Sequence, residues 1–218
     1  MTERKETRKY VFSVEGDTEK WYLDWLGEQI NADTNAQYHV LITAAVQKNP
    51  LKFVKRLTVN TTPEVVHLCD VEGEIPADLK GFQTVLDRLK DARNAKEIEY
   101  DLGYSNLSFE LWMILHKDDC RAPLSTKNQY LSRINRLFGQ SFESLDQYKK
   151  KDNFDKCLNQ LSLQDVIQAI HRSQKLMKEK EETGSKLSEY KGYRYYTDNP
   201  ALTIFQAIDK ILRECGLL

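Results

Sequence analysis

The sequence contains no apolar run of the ~18 residues that a membrane-crossing helix requires. Its charged start, Met-Thr-Glu-Arg-Lys, is not followed by the apolar core of a secretory signal. Cysteine is sparse and unpaired in spacing: Cys69, Cys120, Cys157 and Cys215 stand far apart, with none of the short separations of a zinc site. Four reduced thiols in a cytoplasmic protein is the expectation. No charge of one sign prevails either, with 32 basic against 33 acidic side chains. A protein that coats nucleic acid by bulk electrostatics is clearly basic, so any contact with phosphate must come from local patches or from metal ions. Internal repeats and low-complexity linkers are also missing.

What remains is a chain of 218 residues, long enough for one well-filled domain with or without a helical extension. The apolar share of 40% is ordinary and the charged share of 30% slightly high, which implies many surface helices.

The first half alternates strand-like and helix-like patterns. Tyr10–Val14 is a short β-rich run ending in Glu15-Gly16, and Trp21, Leu23, Trp25, Leu26 and Ile30 then follow helical spacing, with Asp17 placed to cap that helix. A second strand near His39 to Ala45 leads to a basic helix containing Leu51, Phe53, Val54 and Leu57. The third strand, Val65–Cys69, runs into Asp70-Val71-Glu72-Gly73-Glu74. Pro76 opens a helix from about Ala77 to Ala92, and a fourth strand near Ile98 to Tyr104 ends at Ser105-Asn106. Strands separated by such helices predict parallel right-handed crossovers and an α/β sheet. From residue 107 the pattern turns helical: a compact apolar helix over 107–117, then helices over 126–138, 152–160, 163–182 and 197–214. The expected layout is an α/β core over 1–118 and a mostly helical region over 119–218 packed on it.

Two strands end in acids. Ligands of open parallel sheets bind beyond the carboxyl ends of the strands. The first strand delivers Glu15, with a glycine behind it that permits a tight turn. The third delivers Asp70 and Glu72, which point to one side if the backbone stays extended. Carboxylates crowded together repel, and a divalent cation removes the conflict. Hard oxygen ligands suit Mg²⁺ or Mn²⁺. Each acid taken alone is equally readable as a helix cap or loop residue.

The run Phe109-Glu110-Leu111-Trp112-Met113-Ile114-Leu115 is apolar on every side except at Glu110. A helix apolar all round is buried, so Glu110 needs a cation, a metal or a hydrogen-bond donor. Alternatively it sits at the rim and favours that helix end, which Ser108 could cap. His116 reads as a helix-ending residue more readily than as a catalyst.

Val14-Glu15-Gly16-Asp17-Thr18-Glu19 followed by Asp70-Val71-Glu72 resembles the Toprim signature of an acid-glycine turn and a later acid-x-acid motif. Ser105-Asn106-x-x-Phe109-Glu110-Leu111-Trp112 with His116, and Asn199-Pro200-Ala201-Leu202-Thr203 near the end, further resemble the RloB-like family, grouped with AbiL-type abortive-infection proteins. The resemblance extends from residue 10 to about 212. It implies a Toprim-like mostly parallel sheet with a C-terminal helical extension, a role in bacterial defence against phage or foreign DNA, and a partner ATPase encoded nearby. By the same resemblance Glu15 is the general acid/base, Asp70 and Glu72 hold Mg²⁺, and Glu110 is a further site residue. Two positions depart from the pattern: Glu72 stands where aspartate is usual, and Leu107 where proline commonly follows Ser-Asn.

For nucleic acid, Lys52, Lys55 and Arg56 share one face of the second helix, with Lys48 beside them, and could follow a phosphate backbone or simply be solvated. Lys149-Lys150-Lys151 is a similar but weaker run. In Tyr190-Lys191-Gly192-Tyr193-Arg194-Tyr195-Tyr196 the tyrosines could stack bases while Lys191 and Arg194 contact phosphates, or the tyrosines could anchor a loop on the core. The leading expectation is a cytoplasmic metal-dependent nuclease. Its rivals are a nucleotide-processing phosphotransferase or hydrolase, and a non-catalytic regulatory partner of a defence ATPase. A homo-oligomer is compatible with all three.

Overall fold

The β-rich runs form four parallel strands, β1 (Thr7–Val14), β2 (His39–Val46), β3 (Glu64–Asp70) and β4 (Glu99–Asn106). The computed structural model describes residues 5–58, 64–73, 75–96, 98–120, 122 and 124–218; the start Met1–Arg4 and Glu74 of the acid-rich turn lie outside the described residues. Side chains alternate across the sheet as the strand period dictates. Phe12, Val14, Val66 and Leu68 turn to one face, and Val11, Val65 and Cys69 to the other.

Helices connect these strands. Helix α1 (Asp17–Ala32) lies between β1 and β2, α2 (Pro50–Arg56) between β2 and β3, and α3 (Pro76–Lys96) between β3 and β4. The sheet order is β2-β1-β3-β4-β7, the last strand being β7 (Ala201–Leu202), which is antiparallel to β4. The chain therefore leaves β1 on one side to build β2 and returns past β1 to build β3. That reversal puts α1 on one face, with Tyr22, Leu26 and Ile30 against Phe12 and Val14, and α2 and α3 on the other, with Phe53, Leu86 and Leu89 against Val65 and Tyr100. Between β1 and β3 it leaves a crevice at the carboxyl ends, where doubly wound sheets bind ligands.

The helical region follows: α4 (Glu110–Leu115), α5 (Lys127–Phe138), α6 (Leu145–Tyr148), α7 (Lys151–Leu158), α8 (Leu163–Glu182) and, after β7, α9 (Ile204–Glu214). Every residue of α4 is buried, as its all-round apolar pattern requires. One apolar cluster runs from Phe12 and Val14 through Trp112 and Leu115 to Ile134, Ile170 and Ile208, so both halves of the chain share it. Each such large side chain contributes about 1.5–3 kcal/mol on burial. The expected α/β fold with a largely helical C-terminal region is observed, and β7 shows that the second half also contributes to the sheet.

Three local expectations change. Segment 197–214 is not one helix: β7 pairs with Ser105 and Asn106, and α9 begins only at Ile204. Pro200 disfavours helix for Asn199 before it, and the edge of β4 captures the chain, with Thr203 N–H donating to Tyr104 O at 2.8 Å. The tyrosine-rich segment is a hairpin of β5 (Leu187–Tyr190) and β6 (Tyr193–Tyr196), turned by Lys191 and Gly192 at φ 55° and 87°. Two successive residues at positive φ are what a tight hairpin of this twist requires. Helix α1 takes Gly16 as its N-cap with no side-chain cap, and Asp17 is its first residue; Ser108 likewise leaves α4 uncapped by a side chain. Among the described residues, no helix is long and apolar enough to cross a membrane.

Candidate metal centre

Glu15 follows directly on Val14, the last residue of β1, which stands opposite Leu68 of β3. One step further along, Asp70 N–H donates to Glu15 Oε2 at 3.1 Å. Asp70 ends β3 opposite Ser105 of β4, and the Ser105 hydroxyl donates to Asp70 Oδ1 at 2.9 Å. Beyond Asp70 the chain stays tied to the end of β4: Val71 N–H donates to Ser105 O at 2.9 Å and Glu72 N–H to Leu107 O at 3.2 Å. Glu72 then takes φ 68°, inside a three-residue turn closed by Gly73 N–H on Val71 O at 2.9 Å. The two acids of the acid-x-acid motif therefore do not meet through an extended backbone, as the sequence suggested. A turn with positive φ swings Glu72 back toward Asp70.

The result is a trio in which one carboxylate oxygen each from Glu15, Asp70 and Glu72 lies within 4.8 Å of the others. Oxygens that close can share one cation at the ~2.3–2.6 Å typical of Ca²⁺, and drawing them within about 4.2 Å of one another suits the ~2.0–2.1 Å of Mg²⁺. All donors are hard carboxylate oxygens, without histidine or cysteine, and the donor set fits Mg²⁺ or Mn²⁺. Glu15 and Asp70 are half-buried and Glu72 is exposed, so the centre opens to solvent on the Glu72 side.

Behind the trio lies a second pair of acids. Glu19 is buried in the first turn of α1 and accepts from the Thr18 hydroxyl at 2.8 Å. Glu110, fully buried at the start of α4, has Lys149 Nζ 3.1 Å from its Oε1. The crowding sets the electrostatics. Burial lifts the Asp70 carboxyl well above the usual range, the charges of Glu19, Glu110 and Glu15 lift it further, and Lys149 works against them. Burial also raises Glu15, against the pull of the Asp70 N–H and the Lys48 charge. Glu19 is raised by burial first, with Glu110 adding to it. The Tyr148 and Ser108 hydroxyls and Glu110 Oε2 are buried without a hydrogen-bond partner among the described residues.

The structure thus brings Glu15, Asp70 and Glu72 together and sets Glu110 next to them through Lys149. Lys52, Lys55 and Arg56 lie exposed on α2, after the same carboxyl edge of the sheet, where Lys48 acts on Glu15. Lys191 and Arg194 stand elsewhere, on the hairpin. Lys191 Nζ is 3.8 Å from Asp87 of α3, and Tyr195 packs edge-on against Phe82 with ring centroids 4.9 Å apart. With Tyr193, Tyr195 and Tyr196 buried, the tyrosines anchor the hairpin rather than offer stacking faces. His116 closes α4 with Nδ1 2.9 Å from Trp112 O and Nε2 3.0 Å from the Tyr22 hydroxyl, in the core and away from the trio.

Sequence reasoning passed over Glu19, Lys127 and an inward-facing Lys149. Glu19 carried a signal: it shares the buried stripe of Tyr22, Leu23, Leu26 and Ile30, where a charge is out of place. Gly16 belongs with it. Its φ is −142°, an ordinary extended value, so no positive φ demands glycine; instead a Cβ there would lie 3.1 Å from Glu19 Oε2. Lys127 pairs with Glu72 and Lys149 with Glu110 across long stretches of chain, which no local pattern announces.

A cavity of about 870 Å³ elsewhere on the molecule does not contain the trio. It lies toward the amino ends of the strands, lined by Arg8, Tyr10, Glu64, Asp101, Lys210 and Glu214 among others. Its acids are matched to cations, Arg8 to Glu214 at 3.2 Å, Arg93 to Asp101 at 3.2 Å and Lys210 to Glu64 at 2.5 Å. In the crevice between β1 and β3, by contrast, acids outnumber the cations that reach them.

A family model described as RloB-like protein matches residues 10–211. No curated protein and no solved structure matches the chain. The matched span takes in the strand-end acids, the buried α4 helix and the Asn199-Pro200 segment, and the chain belongs to the RloB-like protein family.

Proposed function

We propose that the chain is a Mg²⁺- or Mn²⁺-dependent nuclease of the Toprim type that cuts phosphodiester bonds in bacterial anti-phage defence. The observation that carries the reading is the carboxylate trio within 4.8 Å at the crevice between β1 and β3. Asp70 and Glu72 hold the ion, and when bound it supplies positive charge to the phosphate and the leaving oxygen. Glu15 moves the proton. Its carboxyl is raised by burial, which makes it a better base near neutral pH than a solvated glutamate, and the Asp70 N–H fixes its orientation. Lys48, Lys127 and Lys149 provide the local positive charge that the nearly neutral chain lacks as a whole. The exposed Lys52, Lys55 and Arg56 extend it along α2 for nucleic acid. The defence role and the partner ATPase are what the resemblance to the RloB-like family implies, and they belong to this proposal.

The test is cleavage of labelled plasmid, single-stranded DNA and RNA with Mg²⁺, Mn²⁺ or EDTA, alongside Glu15→Gln. Cutting that requires both metal and Glu15 is expected. Native-like cutting by Glu15→Gln removes Glu15 from the mechanism. Hydrolysis of nucleotides with every polymer left intact moves the assignment to a nucleotide-processing enzyme.

A further inference from the structure

Glu72 is claimed from two directions. A carboxylate oxygen of Glu72 belongs to the trio, and its Oε2 forms an ion pair with Lys127 Nζ. Both backbones are fixed to the same strand end. Glu72 N–H donates to Leu107 O. Lys127 opens α5, whose start is set by the Thr126–Gln129 capping box. One turn on, the Tyr130 hydroxyl lies 3.1 Å from Asn106 O and accepts from Leu107 N–H at 3.2 Å. Only the two side chains are free to move, and each is close to half exposed. The Lys127 charge also reaches Glu15.

We propose that Lys127 is a latch on the metal centre, exchanging Glu72 for a substrate phosphate. This rests on the metal-dependent reading above and adds a control to it. Without a cation, Lys127 offsets the negative charge of Glu72 and competes with any incoming ion for that carboxylate. Once Glu72 turns to a cation, the same ammonium repels the ion and loses its acid. A phosphodiester oxygen approaching from the open side is then its natural partner. Metal and phosphate thus assist each other, and the centre stays weak for metal until substrate arrives. Glutamate at position 72, where the motif usually ends in aspartate, supplies the extra methylene that reaches both partners.

The experiment is calorimetric titration of Mn²⁺ into the full chain and into Lys127→Met, Lys127→Arg and Asp70→Asn, with circular dichroism to confirm folding. An exposed ion pair contributes up to about 1 kcal/mol, so freeing Glu72 in Lys127→Met should tighten Mn²⁺ about two- to fivefold. Lys127→Arg should stay near native and Asp70→Asn should lose binding. At saturating Mn²⁺, Lys127→Met should cleave a labelled oligonucleotide about tenfold more slowly, with Lys127→Arg rescuing. Equal or weaker Mn²⁺ binding by folded Lys127→Met overturns the latch while leaving the metal centre intact. Tighter binding with no cleavage by any variant supports the latch and overturns the nuclease. Absence of Mn²⁺ binding by the native chain overturns both.

Discussion

The two ends of the sheet handle charge in opposite ways. Toward the amino ends of the strands, Arg8, Arg93 and Lys210 each meet an acid, and Lys9 and Arg194 add further positive charge to the groove they line. At the carboxyl ends, Glu15, Glu19, Asp70, Glu72 and Glu110 converge, and the cations that reach them are Lys48, Lys127 and Lys149. Every acid lining the groove has a cation, whereas in the crevice the acids are in excess. The crowded acids raise one another's proton affinity, an arrangement that lowers stability unless something positive joins them. An acid-rich cluster held in place by strand-end hydrogen bonds is the feature on which the proposed function rests.

The sharpest break in the comparison is at Glu15. Glu15→Gln should reduce metal-dependent cleavage by about 10²–10⁴-fold, the usual range for a lost proton-transfer group. Because it removes one charge from a repelling set, thermal denaturation should show a midpoint unchanged or raised. A lowered midpoint would mean that the acid cluster is balanced after all.

The next test is pH. Asp70, Glu15 and Glu19 have folded pKa values above their unfolded ones, the reverse of a salt-bridged acid. The folded state then binds more protons than the unfolded chain, so their contribution favours folding at acid pH and is lost as pH rises from about 4 through the folded pKa. His67 and His116 run the other way. Burial pulls them down to about 3 and about 4, so stability falls as pH drops from about 6.5 toward those values. Urea unfolding of native and Asp70→Asn chains between pH 4 and 7 separates the two, since both share the histidines. The native chain should lose stability relative to Asp70→Asn as pH rises, and Mn²⁺ should restore it. A constant difference across that range would remove the electrostatic account of the cluster. For the same reason, Mn²⁺ affinity of the native chain should rise with pH, by at most about tenfold per unit for each proton displaced.

A smaller effect is expected at Lys149. Lys149→Met leaves the fully buried Glu110 without its cation. Breaking a buried pair costs about 3–5 kcal/mol. Lys149 is itself 39% exposed, so a loss nearer 2 kcal/mol in urea unfolding is expected. Lys149→Arg should recover most of it, because Arg keeps both the charge and the reach.

How far these features could be read in advance depended on whether their causes were local. The parallel sheet was legible because the runs ending at Val14, Cys69 and Tyr104 are bounded by helical spacing, and period alone separates the two. The trio was legible for the same reason, since strand ends place Glu15 and Asp70 wherever the sheet forms. The turn that delivers Glu72 was not, because its φ of 68° is imposed by bonds to Ser105 and Leu107 far away in sequence. Strand β7 was hidden in a helical pattern because the open edge of β4 decides it. Lys127 and Lys149 are ordinary surface lysines until the helical half folds back over the strand ends.

The smallest expected effect belongs to the amino end of the sheet, at Lys210. Its partner is Glu64, and the two side chains are 46% and 40% exposed. Such exposed pairs contribute at most about 1 kcal/mol because water and salt screen both charges. Lys210→Met should therefore shift urea stability by less than Lys149→Met does, and 0.5 M salt should erase most of the difference. It should leave Mn²⁺ affinity and cleavage untouched, since Lys210 lines the groove and not the crevice. A cleavage defect in Lys210→Met, with metal binding intact, would bring the groove into substrate binding. The two ends of the sheet would then be parts of one functional surface, with the amino-end cations held in reserve by their acids until nucleic acid displaces them.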